Sequence, residues 1–277
     1  MTSERPIYCF DGTLTGLLCC VFRAFQFREY QVEIHAFDTH QNTTARHSLQ
    51  DNLFNVSIEV ASQDVHAQRV WNALKNKLSN NALRQLYYAF LAENTDAYQH
   101  IFNYCIYIFR HAQTQQIHSL EKNYTHPSVL AIAQWAKKVG REKHRMEAFV
   151  RFKKSSDGLF LSLIAPDFNV LPLIQRHFRN RYQDQRWLIY DEKRHFGIYY
   201  DLDQVQEVDL SAQTIDAQKE VGGSQQFLID LDDQEVLYDQ LWKDYFQSIN
   251  IKERQNIKLH VQCVPKRYWR YLNEKSV

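Results

Sequence analysis

The chain has 277 residues, 14% aromatic and 23% charged, with only 7 glycines and 5 prolines. That composition suits a packed protein of one large or two modest domains and excludes a disordered or fibrous chain. The 33 Lys and Arg against 32 Asp and Glu leave a formal charge of +1, which excludes a chain-wide attraction to nucleic acid; only a local basic surface can supply one.

Ile7 to Phe10 predicts a short strand and Thr15 to Phe27 a helix with apolar residues at nearly every turn. Val32 to Phe37 alternates, as do Phe54, Val56, Ile58 and Val60, so two strands are expected that pair nearby. The pattern then turns helical. Asp64 is placed as the N-cap of a helix carrying Val70, Trp71, Leu74 and Leu78. Leu83, Leu86, Tyr87, Phe90 and Leu91 form a second helical stripe, and Ile101, Tyr104, Cys105 and Ile108 a third. Thr125-His126-Pro127 predicts a further helix start, leading through Leu130, Ile132 and Trp135 toward Lys143.

After Arg145 the spacing reads as period two, predicting a strand through Ala148, Val150 and Phe152. A turn at Asp157-Gly158 follows, then a return strand from Leu159 to Ile164. Asn169 is placed as the cap of a helix from Val170 to Tyr182. Strands Trp187 to Tyr190 and Phe196 to Tyr200 follow, joined by a charged turn through Lys193. Ser211 to Ser224 reads as a loop, Glu235 to Ile249 as an amphipathic helix, and Pro265 as the start of a short last helix. The expected class is α+β: a helix-rich N-terminal half with a short sheet, then a mixed β-β-α-β-β unit and a C-terminal helical segment. The division is placed as 1–144 and 145–277, with one compact domain as the other arrangement.

Cys9, Cys19, Cys20, Cys105 and Cys263 lack metal-ligand spacing and read as reduced, buried thiols. The twelve histidines show no zinc-binding pattern, so neither a metal nor a cofactor is expected. With no basic leader before an apolar run and no apolar segment of spanning length, a cytoplasmic protein without a membrane segment is expected.

Tyr8-Cys9-Phe10-Asp11-Gly12-Thr13-Leu14-Thr15 nearly matches the nucleophile loop of haloacid-dehalogenase-type phosphatases. That chemistry needs a carboxylate two residues before Asp11, to attack phosphorus and to bind Mg²⁺, and the position is Cys9. A thiolate is a poor Mg²⁺ ligand. Asp11 and Gly12 therefore read as turn residues.

Basic residues gather in three places. The polar side of the helix after Asn169 carries Arg176 and Arg179, with Arg181 and Arg186 close by, a pattern that can grip successive phosphates. A second group runs from Lys137 and Lys138 through Arg141, Lys143, Arg145 and Arg151 to Lys153-Lys154. The third is Lys252, Arg254 and Lys258, then Lys266, Arg267, Tyr268, Trp269 and Arg270, where rings interleaved with cations suit a single strand or a flipped base. The bland reading of each is a solvated charged surface with aromatics packed inward. Asp167, Asp184, Asp191 and Asp201 offer a weaker alternative, a divalent-metal nuclease site; carboxylates at strand ends are far more often caps or ion-pair partners.

Tyr8-x-Phe10-Asp11-Gly12-Thr13, Gly16-Leu17-Leu18-Cys19 and Val21-Phe22 resemble the opening of a bacterial family labelled "probable DNA metabolism protein", domain-of-unknown-function family 4130. The resemblance continues in Arg145-Met146-x-Ala148-Phe149-Val150-Arg151-Phe152, Asp167-x-Asn169-Val170-Leu171-Pro172-Leu173 and His177-Phe178. It runs on through Asp184-Gln185-Arg186-Trp187-Leu188-Ile189-Tyr190-Asp191 and Tyr199-Tyr200-Asp201, and closes with Pro265-Lys266-Arg267-Tyr268-Trp269-x-Tyr271-Leu272. The resemblance implies a setting in DNA repair or modification. Some relatives carry a fused uracil-DNA glycosylase-like domain and others accompany a radical-SAM protein; this chain reads as the stand-alone form. The expectation is a DNA-binding or adaptor protein, without catalysis alone, that acts with a radical-SAM or glycosylase-type partner. The alternative is a DNA-processing enzyme with a carboxylate-based metal site.

Overall fold

Ile7–Phe10 (β1) is buried at every position. A strand of that kind needs partners on both edges and cover on both faces. It has both edges paired: Glu33–Ala36 (β2) and Ser57–Glu59 (β3) flank it in parallel, in the order β2-β1-β3. The two alternating segments thus pair with β1, not with each other; Phe54 and Val56 lie outside the described residues. The computed structural model describes residues 5–37, 57–111, 117–209 and 264–272. The chain divides into two compact units, Met1–Gly140 and Arg141–Val277.

In the first unit, Leu14–Phe27 (α1) starts at Thr13, whose Oγ1 accepts from Gly16 N at 2.9 Å. Asp64–Lys77 (α2) packs on α1. Its cap position is held by Gln63, not by Asp64 as expected. Asp64 is the first helical residue, where its carboxylate meets the positive end of the helix dipole. Asn80–Phe90 (α3) is capped by Ser79, whose Oγ accepts from Ala82 N at 3.2 Å. Thr95–His111 (α4) packs against β2, α1 and α3, and the short Ile117–Glu121 (α5) was not legible as an element. Phe10, Leu17, Ile34, Leu74, Leu86 and Phe102 lie in one core, each burial stabilising by about 1.5–3 kcal/mol.

β2 is an edge strand, and a side chain closes its edge. Gln99 Oε1 accepts from Ile34 N at 2.9 Å while Gln99 Nε2 donates to Val32 O at 3.0 Å. One carboxamide makes the two bonds that a neighbouring strand would make, which blunts the edge as a template for unwanted pairing.

Pro127–Phe149 (α6) continues six residues beyond Lys143, so the strand expected from Arg145 is the end of a helix. The reason lies in Val139, Glu142, Met146 and Val150, buried at three- and four-residue steps. A glutamate inside that stripe hid its helical period.

The second unit holds a five-stranded sheet in chain order: Lys153–Lys154 (β4), Phe160–Ile164 (β5), Trp187–Asp191 (β6), Phe196–Tyr200 (β7) and Val205–Asp209 (β8). β5 and β6 are parallel and the other pairs antiparallel. A parallel pair needs a crossover, and Leu171–Arg181 (α7) is the helix of that connection. Val170, not Asn169, occupies its cap position, and no side chain caps it. Gly158 takes φ +82° in the turn expected at Asp157-Gly158. β8, with Gln206, Glu207 and Asp209 exposed, was too polar to read as a strand. Trp187 anchors the core among Phe152, Phe178 and Tyr200. Lys266–Tyr271 forms a 3₁₀ turn after Pro265, with Tyr268 and Leu272 buried. The fold is α+β. The expected loop at Ser211 to Ser224 and helix at Glu235 to Ile249 lie outside the described residues. Among the described residues, no helix is long and apolar enough to cross a membrane.

A histidine cluster in the first unit links stability to pH. His126 stacks on Tyr107 with centroids 4.0 Å apart, and its Nδ1 accepts from Ser128 N at 3.3 Å. Burial first, then the His111 and His100 imidazoles, lowers the His126 pKa below its ordinary 6.5. His100 is itself 3.5 Å from Asp96, and His111 Nδ1 lies 2.9 Å from Tyr107 O. The folded state favours neutral His126, so its contribution is full above pH 6.5 and is lost as pH falls through the lowered folded value. Urea-unfolding midpoints at pH 7.5 and 5.5 should therefore differ more for wild type than for His126→Gln, which keeps an acceptor but cannot charge. Equal pH dependence in the two proteins removes His126 from this role.

Candidate nucleic-acid interface

Leu171, Ile174 and Phe178 turn one face of α7 inward, and that periodicity forces Arg176, Arg179, Asn180 and Arg181 outward, where all four are exposed. Arg179 Nη2 donates to Asp203 O at 3.0 Å, tying the helix to the turn between β7 and β8. Arg181 Nε donates to Tyr182 OH at 3.3 Å. Arg186 is also exposed and donates to Asp157 O at 3.2 Å, bracing the β4–β5 hairpin. None of the four arginines forms an ion pair with a described carboxylate. Two of them sit in the last turn of α7, where a cation also answers the helix dipole.

The C-terminal cations are differently placed. Arg267 Nη2 lies 2.7 Å from Asp167 Oδ2 and 3.3 Å from Glu142 Oε2. Its guanidinium covers the Tyr268 ring at 4.5 Å, and the Tyr268 hydroxyl donates to Glu142. The motif repeats three residues on. Arg270 covers the Tyr271 ring at 4.5 Å and reaches Glu192 at 3.1 Å, and Tyr271 OH donates to Glu192 at 2.6 Å. Burial, then the bond to glutamate, raises both tyrosine pKa values, so both hydroxyls remain donors. Tyr268 is 1% exposed and offers no ring to a ligand. Trp269 is half-buried, with Nε1 donating to Val264 O at 3.0 Å, and Lys266 is exposed beside it.

Glu142 is the residue that sequence reasoning passed over. It is buried, yet it accepts from Asp167 N at 2.9 Å, from Tyr268 and from Arg267, with Arg145 at 3.5 Å. Asp191, also buried, pairs with Arg194 at 2.9 Å, and Arg194 in turn donates to the Pro166 and Asp167 carbonyls. Burial raises the Asp191 pKa against the opposing pull of Arg194.

The two basic sets lie at opposite ends of β6. Glu192, the partner of Arg270, follows its C-terminus, whereas Gln183 and Asp203, beside Arg179, lie at the end marked by the Trp187–Tyr200 pair. Four strand steps of about 3.3 Å separate those ends by roughly 13 Å. Of the second basic group, Lys143 pairs with Glu147 at 2.5 Å and Arg151 donates to Ala148 O at 2.8 Å. Lys252, Arg254 and Lys258 lie outside the described residues.

A family model for a domain of unknown function, DUF4130, matches residues 95–274. The chain belongs to the DUF4130 family. No curated protein matches it. The matched stretch runs from α4 to the C-terminal 3₁₀ turn, so it includes α7 and the Glu142 cluster. It omits β1 and the Asp-Gly-Thr turn.

That turn is structural in this DUF4130 chain. Asp11 Oδ1 accepts from Thr13 N at 3.0 Å and Thr13 Oγ1 at 2.6 Å, and Oδ2 accepts from Ser62 Oγ at 2.6 Å. Although burial opposes it, bonding to Ser62 and Thr13 lowers the Asp11 pKa overall. A Cβ at Gly16 would stand 2.3 Å from Asp11 Oδ1, so only glycine lets the carboxylate lie against the first turn of α1. Cys9 is buried, and burial followed by the charge of Glu59 raises its pKa, leaving a protonated, inert thiol.

The four carboxylates of the nuclease alternative do not assemble. Asp191 and Asp201 fall at opposite ends of the β6–β7 pair, Asp167 is bound to Arg267, and Asp201 Oδ1 accepts from Asp203 N and Gln204 N. Among the described residues, no three His, Cys, Asp or Glu side chains group to hold a metal ion.

Two outcomes are expected. Asp11→Asn should lower stability by about 1 kcal/mol, through weakened charge-assisted bonds, and the wild-type protein should not hydrolyse a phosphomonoester with Mg²⁺; turnover lost in Asp11→Asn refutes the structural role. Glu142→Gln should lower the unfolding free energy by about 1–3 kcal/mol, because the charge facing Arg267 is lost from a buried network. A wild-type urea midpoint for Glu142→Gln shows that the network contributes nothing.

Proposed function

We propose that this protein is a DNA-binding or adaptor subunit in bacterial DNA repair or modification, and that the outward face of α7 is its contact with the phosphate backbone. One observation carries the reading: Arg176, Arg179, Arg181 and Arg186 are exposed together on α7 and its following loop, and none is held in a close salt bridge with a described carboxylate, the Asp157 carboxylate acting on Arg186 from farther away. Guanidinium groups in that arrangement hold phosphates bidentately and fix register without reading sequence. The Arg267 and Arg270 set, satisfied by Glu142, Asp167 and Glu192, docks the C-terminus instead. The resemblance to DNA metabolism proteins adds the partner: a radical-SAM or glycosylase-type enzyme that supplies the chemistry while this chain positions DNA.

Fluorescence anisotropy with single- and double-stranded oligonucleotides at low salt tests the reading. Binding of micromolar order is expected, with log K falling steeply against log salt. Arg176→Ala with Arg181→Ala should weaken binding to all sequences alike and reduce the salt slope by about two, one for each lost phosphate contact. The thermal midpoint should not move, since neither side chain packs inward. Absence of binding to both forms ends this proposal.

A further inference from the structure

Leu202 combines three properties that rarely meet. It is a large aliphatic residue, it is 51% exposed, and its backbone takes φ +90°. Among the described non-glycine residues with positive φ it is the only apolar one. An L-residue with a bulky side chain avoids that region, and nothing in the core rewards Leu202 for adopting it. Held strain of this kind needs a scaffold that over-determines it, and the scaffold is present.

Leu202 sits at the tip of the turn between β7 and β8. Asp201 Oδ1 accepts from Asp203 N at 2.9 Å and Gln204 N at 2.8 Å, which closes the turn from inside. Tyr200 OH lies 2.8 Å from Leu202 O and 3.2 Å from Gln183 O, so one phenol ties the tip to the segment that follows α7. Arg179 reaches Asp203 O at 3.0 Å. The tip is therefore fixed beside the arginine face, with its side chain left in solvent.

Resting on the DNA-binding reading above, we propose that Leu202 is an apolar wedge that enters a base-pair step of duplex DNA while the α7 arginines hold the flanking phosphates. An isolated leucine gains nothing in water but replaces a stacking contact when it slides between bases, and proteins that kink duplexes use Leu, Ile, Phe or Met in this way. The wedge needs phosphate contacts close by to hold the strand while the step opens, and Arg179 is bonded to the turn itself. Asp201 is compatible with this because its carboxylate is spent on the turn. Asp203 is exposed, and Arg179 Nη2 binds its backbone carbonyl at 3.0 Å, which leaves the guanidinium charge for phosphate.

The test uses the full chain and a duplex carrying 2-aminopurine at its centre, whose fluorescence rises on unstacking. Anisotropy reports binding and the fluorescence reports distortion, in the same titration. Wild type should bind and brighten the probe about twofold or more, as expected for an opened step. Leu202→Gly suits the +90° backbone and should fold at least as stably as wild type. It should nevertheless bind the duplex about fivefold more weakly and leave the probe dark, because the wedge is gone. Binding without brightening, or brightening that persists in Leu202→Gly, overturns the wedge and leaves the arginine interface standing. No binding by wild type overturns both. A Leu202→Gly protein that gains stability but keeps wild-type affinity shows that Leu202 is strained without being used.

Discussion

Glu142 is a carboxylate at 1% exposure, and an unanswered charge there would cost several kcal/mol. Its burial is tolerable because both oxygens are occupied, one by the Asp167 N–H and the Tyr268 hydroxyl, the other by the Arg267 and Arg145 guanidiniums. Those bonds join three parts of the second unit that are remote in sequence: α6, the segment entering α7, and the C-terminal turn. Arg194 fixes the same segment from the β6–β7 side through the Pro166 and Asp167 carbonyls. The entry to α7 is held by the Asp167 N–H and carboxylate together with the Pro166 and Asp167 carbonyls, while Val170 occupies the cap position without a side-chain cap.

The same network decides which cations face solvent unpaired. Arg267 and Arg270 stand in a segment rich in aromatic and basic residues, a composition that suits a ligand surface. Each is instead laid over the following tyrosine and drawn to a glutamate. Their charges are met by carboxylates within the chain. Arg179, Arg181 and Arg186 differ in that their hydrogen bonds go to carbonyl and hydroxyl oxygens, which orient a guanidinium without cancelling its charge. Composition does not separate these two situations, whereas local pairing does.

The Asp-Gly-Thr turn shows the converse. Its residue types resemble a phosphate-handling loop, and the strand-turn-helix context fits as well. The chemistry stops at the atoms: Asp11 is held by two hydroxyls and an N–H against the first turn of α1, and the residue two before it is a buried, protonated thiol. That outcome was legible in the sequence, because a cysteine in place of the attacking carboxylate removes both nucleophile and metal ligand.

Sequence alone determined the elements whose apolar period is long and uninterrupted. β1 is a run of four buried residues, α1 repeats at every turn, and the Asp157-Gly158 turn and the β6–β7 pair follow from turn chemistry and alternation. It also determined the outward arginine face of α7, since Ile174 and Phe178 leave only one side for the cations. The tertiary structure decided what depends on partners far along the chain. Glu142 broke the helical stripe of α6 and made its last turns read as a strand, because a buried glutamate is intelligible only once Tyr268 and Arg267 are beside it. β8 is mostly polar and gains its strand geometry from pairing with β7. The strain at Leu202 has no signature in composition, since a backbone angle is fixed by the bonds that Tyr200, Asp201 and Arg179 make around it.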